Sequence, residues 1–148
     1  MTNTTAVRAR SVRRSLRAPL AWGVVFGVFQ AASPFAFVWL DSATVYALGL
    51  VLIAAVYIGF AVADGRRHVL AVETAVASAF VVVAAAAVPG SAWLIVAGLA
   101  GHGAKDLWQH RTGFVAGTRW WPPFCATVDF VAAALIAAAL VAGVPFLS

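Results

Sequence analysis

Charge is scarce in this chain. Only 10% of its 148 residues are Asp, Glu, Lys or Arg, and only five residues are acidic. A soluble domain carries about 25% charged residues, so an ordinary water-facing surface is excluded. Cysteine is nearly absent: Cys125 stands alone, which excludes an internal disulfide framework and leaves the redox compartment unread. The P-loop, the GxGxxG fingerprint, CxxC, GxSxG and HExxH are all missing, and with them the best-marked nucleotide, redox, serine-hydrolase and zinc-protease chemistries. What abounds is apolar: 64% of residues are hydrophobic, and the mean hydropathy is +0.96. Such a chain fits lipid as its main solvent.

Five apolar runs follow one another: Pro19 to Leu40, Ser42 to Ala63, Val69 to Val88, Ala92 to Gln109 and Phe124 to Leu147. Each is close to the roughly 20 residues that cross a bilayer as a helix. Asp41-Ser42, Asp64-Gly65 and Pro89-Gly90-Ser91 punctuate them as turns, and Pro122-Pro123 suits the first turn of a helix. Unbroken runs rich in Ala and Leu argue against transmembrane strands. The expected fold is all-α: a basic tail over residues 1–18, then one integral membrane domain of five helices over residues 19–148.

The basic residues set the expected orientation. Arg8, Arg10, Arg13, Arg14 and Arg17 precede the first run, Arg66 and Arg67 separate the second and third, and Lys105, Arg111 and Arg119 lie at or near the link between the fourth and fifth. A cytoplasmic N-terminus places all ten inside and Ser148 outside, in a multi-pass protein of the inner (plasma) membrane. Arg13-Arg14-Ser15-Leu16 loosely resembles a twin-arginine export signal. However, the first run exceeds a signal core, and Pro34 spoils cleavage after Ala31-Ala32-Ser33. Because topology accounts for the basic residues, nucleic acid is not an expected partner; the bilayer, a lipophilic small molecule or lipid, and a second copy of the chain are.

Placed by depth, the polar residues collect in the cytoplasmic half. Glu73 and Asp129 each lie about five residues inside their spans, roughly 8 Å deep. Asp106 lies near the inner end of the fourth span, His102 one turn deeper, Tyr57 two turns inside Asp64, and Gln30 near mid-membrane on the first span. His102, Asp106 and Gln109 form one stripe at i, i+4 and i+7, with Trp108 facing away. Tyr57, Ala61 and Asp64 form another, and Cys125 shares a face with Asp129. Gly98, Gly101 and Gly103 allow a close helix neighbour. An ionised carboxylate at mid-helix costs about 2.5–3.5 kcal/mol on insertion scales. Glu73, Asp106 and Asp129 are therefore expected to face inward and to pair, take up protons or bind a cation.

Three chemistries fit that layer. A metal site, with zinc or iron as cofactor, draws on His102, Asp106, His110 and Asp129, although His110 is some 80° off the His102 face. Metal-free acid–base catalysis on a lipophilic substrate (isomerisation, cyclisation or hydrolysis) uses Glu73 or Asp129 as acid and the Asp106–His102 pair as base, with Tyr57 lining the pocket. A proton- or ion-coupled transporter or channel subunit needs a polar path through the outer half, which the sequence lacks. The plain alternative is a polar cluster that fixes helix packing. Cys125 is a candidate nucleophile, though a lone cysteine in a helix more often packs. Arg111 to Trp121 reads as an interfacial anchor, or as a lid hinged at Gly113 and Gly117.

The segments HGAKDLWQHR (His102 to Arg111) and RWWPPFCATVD (Arg119 to Asp129), with YIGFAVADGR (Tyr57 to Arg66) and Glu73, resemble a family of small bacterial multi-span membrane proteins that carries no assigned activity. The resemblance covers most of the chain after the tail. It implies a multi-span fold and brings no role for any residue.

Overall fold

The turn signals act as expected. Asp41 caps the helix that follows: its carboxylate accepts from the backbone N–H of Thr44 at 2.8 Å and from the Thr44 hydroxyl at 2.6 Å. Those two bonds hold the Asp41 carboxyl below the usual carboxylate range. Ser91 caps the fourth helix through the N–H of Trp93. Gly65 and Gly113 end the second and fourth helices in the left-handed conformation, at φ of 79° and 61°. Pro122 and Pro123 open the last helix.

The computed structural model describes residues 4–144, with side chains described from Leu16 onward. The order is α1 (Thr4–Ala32), a 3₁₀ turn (Ser33–Phe35), α2 (Ser42–Asp64), α3 (Arg67–Ala87), α4 (Ala92–Thr112) and α5 (Trp121–Val141). Four stretches are long and apolar enough to cross a membrane: Leu16–Phe35 and the whole of α2, α3 and α5. The chain is thus an all-helical, membrane-embedded protein. α4 has the same length as α3. It falls outside that group because its second half carries His102, Lys105, Asp106, Gln109, His110 and Arg111.

Besides shifts of one to three residues at other helix ends, three boundaries differ from the sequence expectation. The described part of the basic tail continues α1 as helix through Pro19; a proline costs one backbone hydrogen bond without necessarily ending a helix in lipid. α1 stops at Ala32, eight residues before Leu40, where the Ser33 hydroxyl bonds the Gln30 carbonyl and Pro34 follows. α5 ends at Val141; of the expected remainder up to Leu147, the last three residues lie outside those described.

Small residues set the packing. A Cβ on Gly23 would lie 2.5 Å from Thr127 Cβ, and one on Gly27 would lie 2.7 Å from Val131 Cβ. The pairing ascends together along both helices, so α1 and α5 run parallel in close contact. A Cβ on Gly98 would lie 2.6 Å from Leu50, which seats α4 against α2. α4 packs against α5, α3 and α2, and its buried stripe runs Ile95, Gly98, Leu99, His102, Gly103, Asp106, Gln109. α4 is the neighbour that α2, α3 and α5 share, while α1 packs chiefly on α5. At one end of the bundle Tyr46, Leu50, Ile95, Leu99 and Ile136 form an apolar core. The opposite end, which holds Asp64, Arg66 and the α4–α5 link, is polar inside.

Candidate functional site: a buried His/Asp cluster on the central helix

α4 and α5 cross closely at Gly103, where an added Cβ would lie 3.2 Å from Asp129 Cβ. This crossing brings Asp129 to His102. Asp129 Oδ2 lies 2.8 Å from His102 Nδ1, and Asp106 Oδ2, one turn along α4, lies 3.5 Å from the same nitrogen. All three side chains are fully buried. One ligand-type atom from each lies within 4.8 Å of the others. The surroundings are aromatic: Phe80 meets the imidazole edge-on at 5.0 Å between ring centroids, and Tyr57 is tilted against it at 5.9 Å.

A second buried group adjoins this one. Gln109 Nε2 donates to Glu73 Oε1, and Lys105 Nζ lies 2.7 Å from Glu73 Oε2. That oxygen has no well-angled hydrogen bond, but at this distance the ammonium compensates its charge. Lys105 also sits 3.4 Å above the Tyr57 ring, a cation–π contact. Lys105 thus ties Glu73 to Tyr57, and Tyr57 leads to His102. Besides Glu73 Oε2, five buried positions in the two groups keep polar atoms with no hydrogen-bond partner among the described residues: His102 Nε2, both Asp106 oxygens, Asp129 Oδ1, the Tyr57 hydroxyl and Gln109 Oε1. Native interiors leave few such groups unpaired.

The α4–α5 link closes the polar end. Arg66 grips Asp64 through Nε and Nη2, at 2.6 and 2.7 Å, and its Nη2 also donates to the Phe114 carbonyl at 2.7 Å. Asp64 Oδ2 accepts from the Ala116 N–H at 2.7 Å. Hydrogen bonding to Asp64 raises the Arg66 guanidinium above its usual value. Val115, at the centre of the link, is buried against Tyr57, Ala61 and Val69. Beneath the link lies a chamber of about 600 Å³. Gln109, which bonds Glu73, is among its lining residues.

The sequence-derived candidates therefore divide. His102, Asp106 and Asp129 come together, and Tyr57 and Glu73 adjoin them. His110 does not: it is exposed and faces the chamber, because 3.6 residues per turn carry it off the buried stripe. Gln30 also falls outside the layer. It packs against Gly49 near the far end of α2, so among the described residues α1 brings no polar side chain to the cluster. Trp108 is exposed, as its place opposite the stripe requires. Cys125 is buried beside the cluster. Sequence reasoning missed Lys105 as a site residue, counting it only toward topology; a lysine three residues after His102 inside an apolar run was the available signal. It also missed the Asp64–Arg66 grip on the link, for which partners about 50 residues apart offered no signal. Compared with known proteins, the chain matches no family model, no curated protein and no solved structure, so the HGAKDLWQHR and RWWPPFCATVD segments bring no role with them.

Proposed function

We propose that this chain is a metal-binding membrane protein that holds a divalent transition ion, zinc or iron(II), with His102, Asp106 and Asp129. The observation that carries the reading is their convergence: two carboxylates and an imidazole from two helices, fully buried, with their donor atoms within 4.8 Å. Charge supports it. Lys105 neutralises Glu73, so Asp106 and Asp129, if ionised beside a neutral imidazole, leave two negative charges among aromatic and aliphatic side chains. A divalent cation cancels both. Zinc sits about 2 Å from nitrogen and oxygen ligands, so its ligands lie some 3–4 Å apart, close to the spread seen here. Three protein ligands leave a coordination position open, the pattern of catalytic rather than structural zinc. An ion there would act as a Lewis acid on a lipophilic substrate or activate a bound water. The basic residues at this end support a cytoplasmic orientation for it by the positive-inside rule.

Elemental analysis of protein purified from cells supplied with zinc or iron tests the proposal. About one equivalent is expected for the wild type and a small fraction of that for His102→Ala, Asp106→Asn and Asp129→Asn. In the wild type alone, added zinc should also raise the unfolding temperature. Folded wild-type protein that retains no metal at either step overturns the reading.

A second reading has its own observation. His102 and Asp129 meet at 2.8 Å, a hydrogen bond with no room for an ion between the two atoms. The cluster would then hold protons instead of metal, as an acid–base pair or a relay. Carboxyl stretching bands that change with pH in metal-free protein, and vanish in Asp129→Asn, favour it.

A further inference from the structure

His102, Asp106 and Asp129 are fully buried, so an ion or a proton held there exchanges with water only if something opens. The way in from the polar end is layered. Tyr57 lies against His102, at 5.9 Å between ring centroids, and packs with Ala61 and Val69 under Val115. Val115 belongs to the α4–α5 link, yet it is only 2% exposed. The Asp64–Arg66 pair holds it there. Arg66 donates to the Phe114 carbonyl, and Asp64 accepts from the Ala116 N–H, both at 2.7 Å. These bonds fall on the residues immediately before and after Val115. Among the described residues no other hydrogen bond reaches Phe114 to Ala116 from outside the link. The Phe114 ring adds contacts with His68 and Trp108.

We infer that Phe114 to Ala116 form a lid over the His102–Asp106–Asp129 cluster, hinged at Gly113 and Gly117, plugged by Val115 and latched by Asp64 and Arg66. Both hinge glycines stand at positive φ, 61° and 77°, with nothing within 4 Å of an added Cβ, so rotation there meets no neighbour. The 600 Å³ chamber borders the link along Gly113 and Val115 to Trp120, which leaves that flank open space to move into. Lifting the lid breaks the two latch bonds and draws Val115 off Tyr57. The Arg66 side chain is already 47% exposed, so water replaces its bond to the lid. One buried valine and two hydrogen bonds are modest contributions, of the size that lets a lid open locally while the bundle stays folded. The inference rests on the cluster being the working site, whether it holds a metal or protons.

Two thiols read the lid in full-length, metal-free protein in detergent. One is Val115→Cys on the plug, in a Cys125→Ala background. The other is the native Cys125, buried on α5 one turn nearer the link than Asp129. Each is reacted with a charged methanethiosulfonate, which approaches from water. Both should react far more slowly than Ala116→Cys, an exposed position on the same link. Arg66→Gln should speed both about tenfold or more, as for the loss of a hydrogen bond to a charged group. Arg66→Lys keeps a cation for Asp64 but loses the fork that also reaches Phe114, and should speed both by less. Leu50→Ala loosens the apolar core without touching the lid and should change both rates less than twofold. Three results overturn the inference: Val115→Cys as reactive as Ala116→Cys, equal acceleration by Arg66→Gln and Leu50→Ala, or acceleration at Val115→Cys with none at Cys125. No metal is present in this assay, so its outcome is separate from whether the cluster retains zinc or iron.

Discussion

Along α4 the buried stripe changes character halfway. Ile95, Gly98 and Leu99 meet Leu50, Ala132, Ala133 and Ile136, whereas one turn further His102, Asp106 and Gln109 meet Asp129 and Glu73. The helix is continuous and equally buried in both halves; only the side chains differ. In lipid the two halves are held by different forces. Apolar helices gain little from leaving a solvent as apolar as themselves, so the first half relies on close packing. The second half relies on electrostatic compensation, because a buried charge without a partner is costly. Damage to the two halves should therefore scale differently.

The largest effect is expected in the polar half. Lys105→Met leaves Glu73 buried beside Gln109 with no cation, a loss of about 3–5 kcal/mol for a broken buried pair, measured as unfolding in detergent. The double variant Lys105→Met/Glu73→Leu should recover most of it. If the single variant is as stable as the wild type, the Lys105–Glu73 pair adds nothing and the compensation argument fails. Next comes Leu50→Ala in the apolar half. The transfer contribution largely drops out in lipid, so what remains is the cavity beside Gly98, about 2 kcal/mol. A loss near 5 kcal/mol would mean that the two halves are held alike. The smallest effect belongs to the link. Gly117 stands at φ 77° with nothing within 4 Å of an added Cβ, so Gly117→Ala pays only for the left-handed backbone, about 1 kcal/mol. An unchanged melting temperature would show that the link adopts another conformation at no cost, against the Asp64–Arg66 grip.

Much of this architecture is legible residue by residue. Asp41-Ser42, Asp64-Gly65 and Pro89-Gly90-Ser91 mark real helix ends, since caps and left-handed glycines act within one turn of the chain. The i, i+4, i+7 stripe of His102, Asp106 and Gln109 is buried as helical periodicity requires. The end of α1 was misplaced because Ala36 to Leu40 is apolar enough to continue a span, while the turn at Ser33–Phe35 depends on a local hydroxyl bond and a proline. His110 was drawn into the metal set by a spacing of four repeated twice, a repeat that drifts around a 3.6-residue helix.

By itself the sequence determined the helices, their apolar character and which face of α4 carries the chemistry, because periodicity and composition act on near neighbours. Only the tertiary structure decided the partners. His102 Nδ1 is hydrogen-bonded with Asp129 across a helix crossing rather than with Asp106 on its own helix, Glu73 is matched by Lys105, and Asp64 holds a link some 50 residues away. Those pairings depend on which helices touch and at what height. Contacts of Gly98 and Gly103 with residues on other helices set that, and no spacing along the chain records it.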